Sequence, residues 1–173
     1  MKNIELKISS GSFSPIVKIL QKEKAKCEAI LNQTDTYYNY PEERLKIREI
    51  NNKFFEIILY HRPDKKSSKV SNYEVTKLYD QKTKDLVKKV FLGLFGEKVI
   101  VKKTRELWLY KNTRIHLDRV DKLGNFLELE TVVNKISFTQ AQSEHKKVIE
   151  LLDLEKYPKI SKSYSDLLLV KPE

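Results

Sequence analysis

RIHLDRVDKLGNFLELETVV, residues 114–133, reads as two strands around a turn at Asp121-Lys122-Leu123-Gly124-Asn125. Both arms alternate with a period of two. In the first, Ile115 and Leu117 point one way; Arg114, His116 and Asp118 point the other. In the second, Leu127, Leu129, Thr131 and Val133 oppose Phe126, Glu128, Glu130 and Val132. Centring the turn near Leu123 sets Asp118 opposite Glu128 and His116 opposite Glu130. Carboxylates facing each other across a strand pair repel. A chain keeps them cheaply only in open water, or where something positive sits between them.

The rest of the chain bounds the choice. Its 173 residues are long enough to bury a core, and residues 1–173 are expected to form one domain. Hydrophobic residues at 40%, with nine Tyr and seven Phe, argue against disorder. No apolar run is long enough to span a membrane. The opening MKNIELKISS alternates and is interrupted by charge, unlike a signal peptide. Cys27 is the only cysteine, which excludes an internal disulfide and a Cys-based zinc cage. Its ordinary role is a half-buried thiol in a reducing cytosol, so a cytoplasmic location is expected. A net charge of +10 suggests an anionic partner, if the charge is concentrated and not a solvated Lys-rich surface.

Patterning predicts strands at residues 2–9, 26–32 (resuming at 34–38), 44–50, 54–62, 70–78 and 98–110, besides the hairpin. Ser14-Pro15 opens a helix to about residue 24, with Ser14 as N-cap. A second helix covers 80–94, with Leu86, Val87, Val90, Phe91 and Leu94 on one side and Gly96 at its end. A third begins at a capping box of Thr139 with Gln142 and runs to 152. Residues 163–168 suggest one further turn, and the polar run 65–69 a mobile loop. About eight strands joined by short turns, with three helices, make an α+β chain with an antiparallel sheet.

The polar strand faces collect Glu5 and Lys7, Lys46 and Arg48, Arg62, Lys103 and Arg105, Arg114 and Asp118, Glu128 and Glu130. Ordinary solvent faces of half-buried strands would also look polar. Here, however, bases concentrate on some strands and acids on others. Closing eight antiparallel strands into a barrel leaves a lumen for one small ligand. A basic wall suits phosphate oxygens, and an acidic wall suits Mg²⁺ or Mn²⁺.

NIELK (residues 3–7), QTDTYY (33–38), RLKIRE (44–49), YHRPD (60–64), KKTRELW (102–108), RIHLDRVDKLGNFLELE (114–130) and SYSDLL (163–168) cover nearly the whole chain in order. Together they resemble the CYTH superfamily, the triphosphate tunnel metalloenzymes, and within it the class IV adenylate cyclase-like branch. The resemblance implies an eight-stranded antiparallel closed β-barrel, the triphosphate tunnel, with helices packed outside. It implies Glu5, Asp118, Glu128 and Glu130 as ligands of Mg²⁺ or Mn²⁺. It implies Lys7, Lys103, Arg105 and Arg114 as catalytic cations, and Lys46, Arg48 and Arg62 as further substrate contacts. The activity implied is ATP to cyclic AMP and pyrophosphate. Alternatives are hydrolysis of inorganic, thiamine or nucleoside triphosphate, or triphosphate binding without turnover. The family signature begins Glu-x-Glu-x-Lys, whereas this chain has Asn3 first; a neutral oxygen there should bind metal more weakly.

Other candidates are weaker. His61 falls on the face away from Arg62, His116 could orient Glu130 or touch phosphate, and His145 reads as solvated beside Lys146 and Lys147. Tyr37, Tyr38 and Tyr40 read as an aromatic surface or a barrel rim. There is no P-loop and no dinucleotide fingerprint. Nucleic acid is a disfavoured partner, because the basic residues alternate with core positions and no base-stacking motif accompanies them. A homodimer is left open.

Overall fold

The computed structural model describes residues 2–41, 43–61, 72–134 and 136–170. The expected Arg62 contact, the polar run 65–69 and the start of the fifth strand lie outside them, as does the orientation of the His61 side chain. The described elements are β1 (Lys2–Ser9), α1 (Ser14–Lys22), β2 (Lys26–Tyr38), β3 (Arg44–Ile50), β4 (Phe54–His61), β5 (Asn72–Leu78), α2 (Gln81–Phe95), β6 (Glu97–Tyr110), β7 (Thr113–Val120), β8 (Gly124–Val133), α3 (Phe138–Leu151) and α4 (Tyr164–Val170). A 3-10 turn sits at Leu154–Lys156. None of these helices is long and apolar enough to cross a membrane.

The strands form one antiparallel sheet in the order β1-β8-β7-β6-β2-β3-β4-β5. It is not closed into a barrel: β1 and β5 end the sheet, and no ladder joins them among the described residues. The outer edge of β1 is already taken. Ser9 N donates to Pro158 O at 3.0 Å, Ile160 N donates to Lys7 O at 2.8 Å, and Ile8 bridges Lys159. An edge whose backbone groups are satisfied by residues 158–160 cannot also pair with β5.

The central hairpin turns one residue earlier than expected. Val120 sits opposite Gly124, leaving Asp121-Lys122-Leu123 as the loop, closed by Leu123 N donating to Val120 O at 3.1 Å. Gly124 has φ +96°, a left-handed conformation that a side chain would strain. The shift moves every pairing by two residues. His116 therefore faces Glu128, Arg114 faces Glu130, and Asp118 faces Phe126. A two-residue slip keeps each side chain on its expected face, so the polar set survives the correction.

Three apolar clusters hold the layers together. Outside β1, β7 and β8, the buried Leu6, Ile115, Leu117, Leu127 and Leu129 pack under Ile16 and Leu20 of α1 and Val148 of α3. Outside β2 and β3, Tyr38, Leu45 and Ile47 pack under Val87, Phe91 and Phe95 of α2. Tyr38 and Tyr40 meet Phe91 and Phe95 edge-on, so these tyrosines belong to the helix layer. Leu86, Val90 and Leu94 are exposed, because the apolar arc of α2 is wider than the stripe the sheet can cover. The third cluster lies on the inner face and is described below.

Helix starts also differ. Phe13 holds the N-cap position of α1 without a side-chain cap. The α3 capping box is Ser137 with Gln140, two residues before the expected pair. His145 is buried at 4% exposure, with Nδ1 2.9 Å from Thr131 Oγ1, because α3 lays that face on β8. Cys27 is exposed.

Candidate functional site

The inner face of the curled sheet lines a cavity of about 430 Å³, to which all eight strands and the start of α4 contribute. β1 brings Asn3, Glu5 and Lys7; β2 brings Leu31, Gln33, Asp35 and Tyr37; β3 brings Lys46 and Arg48. β6 adds Lys103 and Arg105, β7 Arg114 and His116, and β8 Glu128 and Glu130. Asp118 is fully buried directly behind them. Thus ten of the eleven expected site residues converge on one place; Arg62 lies outside the described residues.

The strand registers give the cavity a direction. Arg114, Glu130 and Glu5 lie at one end, where the Arg114 side chain is 40% exposed. The other end is filled by Tyr37, Val101, Val120, Phe126 and Tyr164, a buried cluster covered by Leu167 and Leu168 of α4. Arg44 donates to Asp166 at 2.9 Å, tying α4 to β3.

Two sets of similar composition occupy the inner half. Asp35 accepts from Arg48 in bidentate fashion at 2.7 and 2.8 Å, and from Lys46 at 2.7 Å. Asp118 accepts from Arg105 at 2.6 Å on each oxygen, from Lys103 at 3.3 Å and from the Tyr164 hydroxyl at 2.9 Å. Arg105 also donates to Glu128 at 2.6 Å, and Lys7 lies 3.1 Å from the other Glu128 oxygen. Lys7 further sits 3.9 Å above the Tyr164 ring. The oxygens of Asp118 are therefore engaged by cations and a phenol, and it orients Arg105 from behind the cavity wall.

The ionisation pattern follows from this crowding. Burial raises the Asp35 pKa, but Arg48 and Lys46 outweigh it and hold the carboxyl well below the usual range. Burial and the Arg48 charge push Lys46 down to about 7, despite Asp35. The two partners point opposite ways because one carboxylate serves two cations. Asp35 is over-satisfied, and Lys46 is left with the smaller share. Lys103 is lowered likewise, by burial and then Arg105. Among the described residues, the inner half sets Lys7, Lys46, Arg48, Lys103 and Arg105 against Asp35, Asp118 and Glu128. The mouth sets Arg114 against Glu5 and Glu130, while Glu56 on β4 lies opposite Arg48. Among the described residues, cations thus outnumber carboxylates inside and carboxylates outnumber cations at the entrance.

The mouth residues fit a divalent cation. Glu5 lies directly opposite Glu130 across the β1–β8 ladder, which brings two carboxylates to one place on the inner face. His116, Glu128 and Glu130 can place one ligand atom each within 4.8 Å of one another. Burial, then the Arg105 charge, lowers the His116 pKa to about 4, so its imidazole is neutral near pH 7. Among the described cavity-lining residues, three buried polar atoms have no hydrogen-bond partner: Asn3 Oδ1 and His116 Nδ1 toward the mouth, and Gln33 Oε1 on β2.

Asp35, Tyr37, Gln33 and Tyr164 are site residues that the sequence reading did not select. The signal for the first three was present. Leu31, Gln33, Asp35 and Tyr37 alternate on one face once β2 is taken as continuous through residue 33. Tyr164 reaches the site from 46 positions beyond Asp118, and no local pattern reveals that.

Comparisons with known proteins agree with this arrangement. The CYTH domain model matches residues 1–164. A Methanocaldococcus jannaschii protein named "Putative adenylate cyclase MJ0240" is 29% identical over 96% of this chain and 98% of its own length. The structure of PH1012 from Pyrococcus horikoshii is 26% identical, covers 95% of this chain and 98% of its own, and superposes with a TM-score of 0.80. HpAC1 from Hippeastrum shares the fold at 14% identity, with a TM-score of 0.67 over 98% of this chain and 95% of its own. From the inner-face constellation and a family match over nearly its whole length, the chain belongs to the CYTH domain family.

Proposed function

We propose that the protein is a divalent-cation-dependent enzyme that converts ATP to cyclic AMP and pyrophosphate. The observation that carries this reading is the order of charge along the cavity, cations inside and carboxylates at the mouth. A triphosphate entering with its terminal phosphate first finds Lys46, Arg48 and Lys103 at the inner end. Its α-phosphate then lies nearest Glu5, Glu128 and Glu130, and the nucleoside stays at the mouth beside Leu31 and Leu107. A divalent cation held by these carboxylates would stabilise charge developing on the phosphate oxygens. Arg105, fixed by Asp118, presents its guanidinium to the middle of the chain of phosphates. Arg114 lies at the mouth beside Glu130. The ribose 3′-hydroxyl gives up its proton to water, and its oxygen bonds to the α-phosphorus as the bridge to the β-phosphate breaks and pyrophosphate leaves.

A second reading, triphosphate hydrolysis, has one observation in its favour. The tyrosines of the described cavity, Tyr37, Tyr60 and Tyr164, belong to its inner end, and among the described residues the mouth offers no Phe, Tyr or Trp ring for a base to stack on. A substrate without a base, inorganic triphosphate, uses the inner half fully. HpAC1 is described as having a dominant triphosphatase activity, which is a property of that protein.

Incubation with Mg²⁺ or Mn²⁺ and ATP, thiamine triphosphate or inorganic triphosphate separates the readings by product, followed by ³¹P NMR. Cyclic AMP and pyrophosphate from ATP support the first. Release of orthophosphate alone replaces it with the second. A rise in Tm with triphosphate but no turnover reduces the protein to a binder. Glu128→Gln and Glu130→Gln should lose whichever turnover is found.

A further inference from the structure

We infer that His116 is a nitrogen ligand of the cation at the mouth, and that with Asn3 in place of a carboxylate it turns the site toward first-row transition ions over Mg²⁺. The inference rests on the reading that the mouth holds a divalent cation, and it adds which ion and through which atoms.

Three observations carry it. His116 is only 5% exposed, and its Nδ1 has no hydrogen-bond partner among the described residues. That atom faces Glu130 Oε1 at 3.6 Å, beyond the range of a hydrogen bond. A protonated Nδ1 would draw the carboxylate in; two lone pairs held apart leave room for a cation between them. Register then supplies the neighbours. His116 is opposite Glu128 on β8, and Glu130 is opposite Glu5 on β1. Asn3, two residues before Glu5 on the same strand face, is 2% exposed with its Oδ1 also unpartnered. An unpaired buried amide oxygen and an unpaired buried imidazole nitrogen each cost stability until something accepts their lone pairs.

The donor set sets the preference. Mg²⁺ favours carboxylate and water oxygens in a strict octahedron. Imidazole suits transition ions, and a neutral amide oxygen lowers the charge that would reward a hard ion. Glu128 is tied to Lys7 and Arg105, which further reduces the carboxylate density offered to Mg²⁺.

Mn²⁺ is a suitable probe because pulsed EPR reports its ligand nuclei without any turnover. The full chain is loaded with Mn²⁺, then with Mn²⁺ and tripolyphosphate, and the modulation from ¹⁴N and ³¹P is recorded. A directly bound histidine nitrogen is expected in both samples. It should disappear in His116→Gln, and in the unaltered protein labelled with ¹⁵N-histidine, which removes the ¹⁴N signal without risk to folding. Mg²⁺ should displace Mn²⁺ only at roughly tenfold excess or more, and His116→Gln should narrow that ratio. Mn²⁺ that binds with ³¹P coupling but no histidine ¹⁴N overturns this inference and leaves the proposed function standing. Equal displacement by Mg²⁺ overturns the stated preference. Failure of Mn²⁺ to bind with or without tripolyphosphate overturns both this inference and the metal-dependent reading on which it rests.

Discussion

Replacing Asp35 by asparagine keeps the shape of the side chain and removes its charge. Asp35 is 3% exposed and accepts three hydrogen bonds from two cations. Removing one partner of a buried ion pair costs about 3–5 kcal/mol, mostly the penalty for the charge left behind. Two cations are stranded here, but they respond differently. Lys46 already titrates at about 7, so without Asp35 it sheds its proton near neutral pH and escapes most of the penalty. Arg48 cannot do so. The lower end of the range is therefore expected, about 3 kcal/mol, or a fall in Tm of roughly 6–12 °C for a chain of this length. Differential scanning fluorimetry at pH 7 measures it. The loss depends on pH with a definite sign. The folded carboxyl of Asp35 is depressed, so its stabilisation is complete above the unfolded pKa of about 4 and vanishes as pH falls through the folded value. The gap between the two proteins should hold at pH 7 and shrink below pH 4. Tripolyphosphate supplies a further check. In the variant it restores the negative charge that Arg48 has lost, so the rise in Tm on adding it should be larger than in the unaltered protein. A fall under about 1 kcal/mol, or an equal rise with tripolyphosphate, would refute the idea that Arg48 depends on the negative charge of Asp35.

Asp118→Asn should also cost about 3–5 kcal/mol, because Arg105 and Lys103 lose their buried partner, yet leave Mn²⁺ affinity by EPR unchanged. A large loss of Mn²⁺ binding would return Asp118 to the set of metal ligands. His145 is held near pKa 4 by burial, below its unfolded value, so the unfolded chain binds the extra proton. Stability is then full above pH 6.5 and falls toward pH 4 by up to about 3 kcal/mol; urea titrations of His145→Gln across that window should lose correspondingly less. Asn3→Glu adds a carboxylate at the mouth, and isothermal titration should find tighter metal binding with a gain for Mg²⁺ in particular. Unchanged affinity would place Asn3 outside the site.

Alternation revealed the faces of this sheet because it depends only on the pleat, which each strand carries in its own residues. Alternation put Lys46 with Arg48, and Lys103 with Arg105, on one face of their strands; the segregation of charge and the family resemblance turned that face inward, and they lie inward. Partnership is a different kind of information. That Asp35 serves Arg48 follows from the β2–β3 register, and that Gln33 faces Lys103 follows from β2 pairing with β6, some seventy residues away. The reading of β2 as two strands concealed the first, and no local signal encodes the second. Closure failed for the same reason. Eight alternating strands say nothing about residues 158–160, whose backbone occupies the edge that β5 would need.

The two-residue shift in the central hairpin changes what the acidic cluster means. With the turn where the structure has it, opposite charges or a neutral imidazole face the β8 carboxylates from β7, and the hairpin by itself is electrostatically sound. The repulsion moves to Glu5 against Glu130, between the first strand and one more than a hundred residues later. A hairpin-internal clash would exist in any partly folded state that forms the hairpin. A clash between β1 and β8 exists only once the ends of the sheet have been brought together. A cation that relieves it must therefore bind the assembled sheet and stabilise it by mass action. Asn3 softens the same contact by removing a third carboxylate from that strand face. The asparagine that departs from the family signature thus lets β1 pair with β8 at lower cost before any ion arrives, and leaves affinity at the mouth to be supplied by His116.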